Sequence, residues 1–196
     1  GKVDIIVGTQ VLAKGHHFPN LTLVVIVDAD LGLSGADLRG AEKSFQLLNQ
    51  VSGRAGRADK KGLVLMQTYN PENAVIAALG NGDGERFLNL EIAARKTAEM
   101  PPYSRLAILW ISGRDKFKVQ KAAQALAKIM PTENGVEILG PAPAPIFMLR
   151  KNYRFHFLIK TAKNIDIQGV IRDWLARIKL PASLNIRTDI DPYSFF

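Results

Sequence analysis

Two adjacent prolines, Pro101 and Pro102, divide this 196-residue chain more sharply than any other feature. Neither can continue a helix, and each pushes the residue before it toward extended backbone, so the helical pattern over 85–100 must stop there. Before the break, short apolar runs alternate with helical patterns. Residues 3–7, 21–27 and 63–68 read as strands, 41–51 and 85–100 as helices, with another helix opening at Asn70-Pro71-Glu72 and broken by Gly80 and Gly82. Strands alternating with helices predict parallel pairing with helices against the sheet. Residues 1–100 are therefore expected to form one α/β domain and 101–196 a second, separate one.

After the break the pattern becomes α+β. Residues 106–111 read as a strand. Asp115 is placed to cap a helix running to about 130, with Val119, Ala122, Ala123, Leu126 and Ile129 inward and Lys118, Lys121 and Lys128 outward. A short strand over 136–139 leads into Gly140-Pro141-Ala142-Pro143-Ala144-Pro145, where alternating prolines should give a stiff extended loop. A hairpin is expected from 146–149 and 153–160, turning at Arg150-Lys151-Asn152. Its second strand puts Tyr153, Phe155, Phe157 and Ile159 on one face and Arg154, His156 and Lys160 on the other. A helix over 166–179 turns Val170, Ile171, Trp174, Leu175 and Ile178 inward, and 184–190 is the last strand. The order β-α-β-β-β-α-β predicts a small two-layer α+β sandwich, roughly ferredoxin-like.

Charge is divided as unevenly as structure. Residues 1–100 hold 11 Lys+Arg and 11 Asp+Glu, whereas 101–196 hold 15 and 7, so the whole net charge of +8 lies in the second half. This fits a polyanion-facing module attached to a neutral one, or simple solvation by lysine. Arg150, Lys151 and Arg154 make the best nucleic-acid or acidic-peptide patch; the lysine stripe on the 116–130 helix reads more readily as a solvated face. No run reaches the ~18 apolar residues of a membrane span, and none resembles a secretion signal, so a cytoplasmic protein without a membrane partner is expected. With 0 cysteines and 3 histidines, no metal site is expected. The neighbouring His16 and His17 would point apart.

Gln50-Val51-Ser52-Gly53-Arg54-Ala55-Gly56-Arg57 carries the chemistry. Following a helix over 41–51, Arg54 and Arg57 would leave its end on nearly one side, so two planar guanidinium forks could approach one polyanion. A lone Gly-Arg-x-Gly-Arg run is more often a turn with solvated arginines; the longer pattern with Gln50 is far more specific. Upstream, Gly8-Thr9-Gln10-Val11-Leu12-Ala13-Lys14-Gly15 follows an apolar run, placing polar groups at a strand's carboxyl end, where ligands of open α/β sheets gather. Asp28 and Asp30, after the second apolar run, read as strand-end or loop-fixing groups, and Arg39 and Glu42 as groups that position the helix.

These two stretches resemble motifs VI and V of superfamily 2 helicases. Together with Ala13-Lys14-Gly15-His16-His17-Phe18-Pro19, Asp37-Leu38-Arg39 with Glu42, Met100-Pro101-Pro102-Tyr103, the 139–145 proline run and Asp189-Ile190-Asp191-Pro192, they are similar to the primosomal protein N′ family of replication-restart DNA helicases. The resemblance covers about residues 3–192. It implies part of a RecA-like second helicase lobe followed by a basic C-terminal domain. It implies Arg54 and Arg57 as catalytic arginines, Gly15, Gln50 and Gly53 at an ATP cleft, and Thr9, Gln10 and Lys14 on DNA. ATP and Mg²⁺ would be cofactors of the intact enzyme, held mainly by another lobe, and zinc would belong to the family's cysteine-rich module. Branched and single-stranded DNA, single-stranded-DNA-binding protein and primosome proteins would be partners.

No Gly-x-x-x-x-Gly-Lys-Ser/Thr loop and no Asp-Glu magnesium box occurs in the sequence. The chain is thus expected to be a C-terminal fragment without ATP hydrolysis of its own. The rival expectation is a non-enzymatic nucleic-acid-binding or scaffold fragment in which the arginine motif is vestigial.

Overall fold

In a computed structural model, residues 3–9, 18, 20–33, 37, 39–53, 55 and 62–194 are described. The chain divides into two compact units, Gly1–Glu91 and Ile92–Phe196.

In the first unit, strand β1 (Leu23–Ile26) pairs in parallel with β2 (Leu63–Met66), from Leu23↔Leu63 to Ile26↔Met66. Helix α1 (Gly40–Ser52) lies between them in sequence, completing the expected β-α-β alternation. Ile26 and Met66 point to the packed face, where Leu48 and Phe45 of α1 meet Val75, Ile76 and Ala78 of α2 (Ala74–Asn81) and Phe87 of α3 (Gly84–Thr97). Phe45 and Phe87 stack with centroids 4.5 Å apart. Val51 shares the helical spacing but lies outside this cluster. The opposite sheet face, with Leu23, Val25, Leu63 and Leu65, is exposed.

Two expectations fail here. Residues 3–7 are not a buried strand: they have no regular structure, and Ile5 and Val7 are 80% and 92% exposed. A strand needs a ladder partner, and among the described residues β1 and β2 pair only with each other, so apolar composition alone does not make one. The α2 cap is Asn73 rather than Asn70; its side chain accepts the Val75 N–H at 2.9 Å. Asn70 and Pro71 instead open a turn closed by Asn73 N–H on Asn70 O at 3.1 Å, where proline's fixed φ suits the second position. Gly82, left-handed at φ 67°, ends α2 as its glycine suggests.

The second unit is a four-stranded antiparallel sheet in the order β4-β5-β3-β6. Its elements are β3 (Ser104–Gly113), α4 (Lys116–Ala127), β4 (Val136–Leu149), β5 (Asn152–Ala162), α5 (Ile167–Ala176) and β6 (Asn185–Ile190). This is the ferredoxin-like split β-α-β arrangement. Asp115 caps α4 by accepting Phe117 N–H at 3.0 Å and Lys118 N–H at 3.1 Å, and Asp166 caps α5 through Gln168 N–H at 3.1 Å. Ala107, Leu109 and Ile111 of β3 and Phe155, Phe157 and Ile159 of β5 form one face, packed with Val119, Ala123, Leu126, Ile171 and Trp174. Trp174 is fully buried, sets its ring edge-on to Phe157 and donates its Nε1–H to Leu126 O at 3.2 Å.

The expected strands 136–139 and 146–149 and the proline loop between them are one strand, β4, so the order is β-α-β-β-α-β. The prolines break the ladder without ending the strand. Pairing with β5 shifts register between Leu139 and Ala142 and again between Pro143 and Met148. β4 is an edge strand, where a missing N–H costs least. Gly140 has φ 123°, and a Cβ there would lie 2.8 Å from His156 O. Gly140→Ala should therefore destabilise the second unit by about 2 kcal/mol or more, whereas Asp115→Ala should cost about 1 kcal/mol as a lost cap. Urea denaturation of both variants checks the order; equal costs would contradict the close approach at Gly140.

Candidate nucleotide and nucleic-acid sites

The C-terminal ends of β1 and β2 are tied together by one carboxylate. Asp30 Oδ1 accepts Thr68 Oγ1–H at 2.8 Å and Oδ2 accepts Tyr69 N–H at 2.7 Å. Asp28 Oδ1 accepts the N–H groups of Asp30 and Leu31, both at 3.1 Å. Both aspartates thus fix loops, as expected, at the sheet edge where ligands gather.

Asp37 anchors the start of α1. Its carboxylate accepts Lys43 Nζ–H at 2.7 Å and Arg39 N–H at 3.1 Å, while Arg39, at the cap position, makes no side-chain cap bond. Sequence reasoning gave Arg39 and Glu42 the positioning role and passed over Asp37. The spacing of Asp37 and Lys43, six apart, matches no helical neighbour rule, because Asp37 precedes the helix. At the other end of α1, Gln50 is exposed and Gly53 donates its N–H to Asn49 O at 2.9 Å. Gly53 has φ −68°, which any residue adopts, so its own backbone does not require glycine. No basic residue stands in the last turn of α1, whose carbonyl end repels anions. Any phosphate near it depends on side chains beyond the helix. The expected arginines, Arg54 and Arg57, lie outside the described residues, as do Gln10, Lys14, Gly15, His16 and His17. Thr9 is exposed, in irregular chain.

In the second unit two cations of the β5 face are engaged within the fold. Arg154 lies over the Trp110 ring, 4.3 Å from its centroid, and Lys160 pairs with Glu137 at 2.7 Å. His156 packs against Trp110 with centroids 5.2 Å apart. Burial above all, and the Arg154 charge, hold its pKa below the usual histidine value against a hydrogen bond with the Ala142 backbone, leaving the ring neutral at neutral pH. Arg150 and Lys151 are exposed at the β4–β5 turn. Among the described residues no three His, Asp or Glu side chains gather as metal ligands. No described helix is long and apolar enough to cross a membrane.

Burial acts to raise the Asp37 pKa, but the Lys43 hydrogen bond, the Arg39 N–H and both cationic charges outweigh it and hold the value below the ordinary 3.8. A depressed carboxylate stabilises the fold above its unfolded pKa and loses that contribution as pH falls through the folded value. Asp37→Asn should therefore cost about 1 kcal/mol at neutral pH, a difference that shrinks as pH drops below 3.8. Urea melts of both proteins at pH 7 and pH 3 measure it; an equal gap at both would refute the ionic anchor.

Comparison with known proteins places these features. The family model described as Primosomal protein N C-terminal domain matches residues 96–193, and the Helicase conserved C-terminal domain model matches 1–59. The chain is 45% identical over 195 residues to the replication restart protein PriA of Rickettsia felis, covering 100% of this chain and 30% of that one. The replication restart protein PriA of Treponema pallidum is 37% identical, across 98% of this chain and 30% of its own length. That of Bacillus subtilis is 38% identical, across 98% and 25%. The chain thus spans under a third of the length of these relatives. It belongs to the primosomal protein N family of PriA replication restart proteins, matching that family's helicase C-terminal and C-terminal domains.

Proposed function

We propose that this chain supplies one wall of a nucleotide cleft, and a DNA grip, to an ATP-dependent 3′-to-5′ DNA helicase that acts at stalled or branched replication forks and starts primosome assembly. The observation that carries this reading is the pairing, in one chain, of a helicase C-terminal match over 1–59 with a PriA C-terminal match over 96–193. In this reading residues 1–100 are part of a RecA-like second lobe, and 101–196 are the basic DNA- and partner-binding domain beyond the Pro101-Pro102 break.

ATP with Mg²⁺, when bound mainly by the other lobe, supplies the phosphoryl group whose transfer drives the intact enzyme. Gln50 and Gly53, at the exposed end of α1, direct the chain so that Arg54 and Arg57 reach the γ-phosphate. The two guanidinium groups offer the positive charge that the helix end lacks, and they favour lobe closure when the phosphate is present. Gly15 lets the motif V backbone approach the same cleft. Thr9, Gln10 and Lys14 hold phosphates of the translocated strand, so closure becomes a step along DNA. Arg150, Lys151 and Arg154 contribute to holding branched or single-stranded DNA. Single-stranded-DNA-binding protein, through its acidic tail, and primosome proteins are the proposed protein partners, and the cytoplasm the proposed site of action. Zinc would serve the family's cysteine-rich module and has no ligands in this cysteine-free sequence.

Replacing Arg57 by alanine in a complete PriA protein should lower ATP turnover by about 10³-fold or more while changing DNA affinity only a few-fold. Steady-state hydrolysis and DNA titration read the two separately. The reverse pattern, with affinity lost and turnover kept, would contradict the arginine assignment. The 196-residue chain alone should not hydrolyse ATP at a rate near that of the complete helicase.

A further inference from the structure

The β4–β5 connection is a two-residue turn closed by the Leu149↔Asn152 pair, with Arg150 at φ 50° and Lys151 at φ 63°. Such a turn suits the right-handed twist of the strands when both central residues are left-handed. Asn-Gly meets that demand at little cost, and long side chains do not. Two exposed cations therefore occupy backbone positions that disfavour them, a pattern that concentrates at functional sites. Nothing within the described structure repays the strain, since neither side chain makes a hydrogen bond or ion pair among the described residues; the Arg150 carbonyl accepts Asn152 Nδ2–H at 3.3 Å.

More positive charge is gathered beside the turn. Arg114 and Lys118 line an open pocket of about 320 Å³ together with Asp115, Asn152, Ser183 and Leu184. Lys116 sits 5.7 Å from the ring of Phe147 on β4. Asp115 is the only carboxylate lining the pocket; its Oδ1 is occupied in capping α4 and its Oδ2 lies 3.9 Å from Lys118 Nζ, which leaves Arg114 without a carboxylate partner there. Elsewhere in this unit Arg105, Lys160 and Arg172 are paired with Asp191, Glu137 and Asp166 at 2.8, 2.7 and 3.8 Å.

We propose that this hairpin end is a grip for the phosphate backbone of nucleic acid, with Arg150 and Lys151 as its outermost contacts and the Arg114–Lys118 pocket taking a neighbouring phosphate. The inference rests on the reading that the basic unit binds DNA, and it places the main phosphate contacts at one end of the sandwich, with Arg154 on the adjoining face a lesser one. A pocket lined by two cations, one carboxylate, an amide and a hydroxyl, with one apolar side chain, suits a phosphate better than the apolar residues of a peptide tail. Met148 and Leu149, exposed beside the tip, offer unstacked bases an apolar contact.

The test replaces the turn by the sequence its backbone favours, Arg150→Asn with Lys151→Gly, in the 196-residue chain. Anisotropy of labelled single-stranded and duplex oligonucleotides is followed across a range of salt. Affinity should fall about tenfold or more, and the log–log salt slope should become shallower by about 1.4 on single strands or 1.8 on duplex. Tm should at the same time rise by several degrees, because the strain is gone. A charge-matched control, Arg177→Gln with Lys179→Gln, should weaken binding much less. A rise in Tm with unchanged affinity and slope would overturn the grip while leaving DNA binding by the unit intact. Failure of the unaltered chain to bind either oligonucleotide would overturn both readings, and binding of an acidic peptide without any oligonucleotide would overturn the phosphate assignment.

Discussion

The ladder between β3 and β5 sets the architecture of the second unit. It runs without interruption from Ser104↔Ala162 to Gly113↔Tyr153. This register places Ala107, Leu109 and Ile111 beside Phe155, Phe157 and Ile159, so that α4 and α5 have one continuous apolar surface to cover. A slip of one residue would turn Arg154, His156 and Lys160 into that surface and the aromatic rings out of it. Burial of these six side chains and Trp174 is worth far more than any polar contact in the unit. The positions of all its charged groups therefore follow from this pairing.

The same pairing decides which cations stay available. Because Trp110 stands opposite His156, and Arg154 is on the same face one step along, the arginine covers the indole and the imidazole is forced neutral. Because Glu137 stands opposite Lys160, that lysine is paired. Further cations gather at the end of the sandwich where β3 passes into α4 and β4 turns into β5. There Arg114, Lys116, Lys118, Arg150 and Lys151 surround one pocket-lining carboxylate, which caps α4 through one oxygen and lies 3.9 Å from Lys118 Nζ through the other.

In the first unit the governing device is polar. A two-stranded parallel sheet is a small platform, and Asp30 ties the ends of β1 and β2 by accepting from both Thr68 and Tyr69. Asp37 does the same for the entry of α1 through Lys43. The sheet edge and the entry of α1 are thus each fixed by one carboxylate.

Local signals carried much of this protein in its sequence. The Asp115 cap, the Gly82 stop, the inward and outward faces of β5 and the charge imbalance all depend on residues close along the chain, where spacing and side-chain chemistry suffice. The motif around Gln50 was legible for the same reason, since one helix and its exit define it. What only the tertiary structure decided depends on partners distant in sequence. Residues 3–7 look like a strand but find no ladder among the described residues, β4 passes through its prolines because it lies at an edge, and two cations of a basic-looking face are engaged by Trp110 and Glu137. Period and propensity describe what a segment can present; pairing and burial decide what it meets, and charge and strand identity are properties of that meeting.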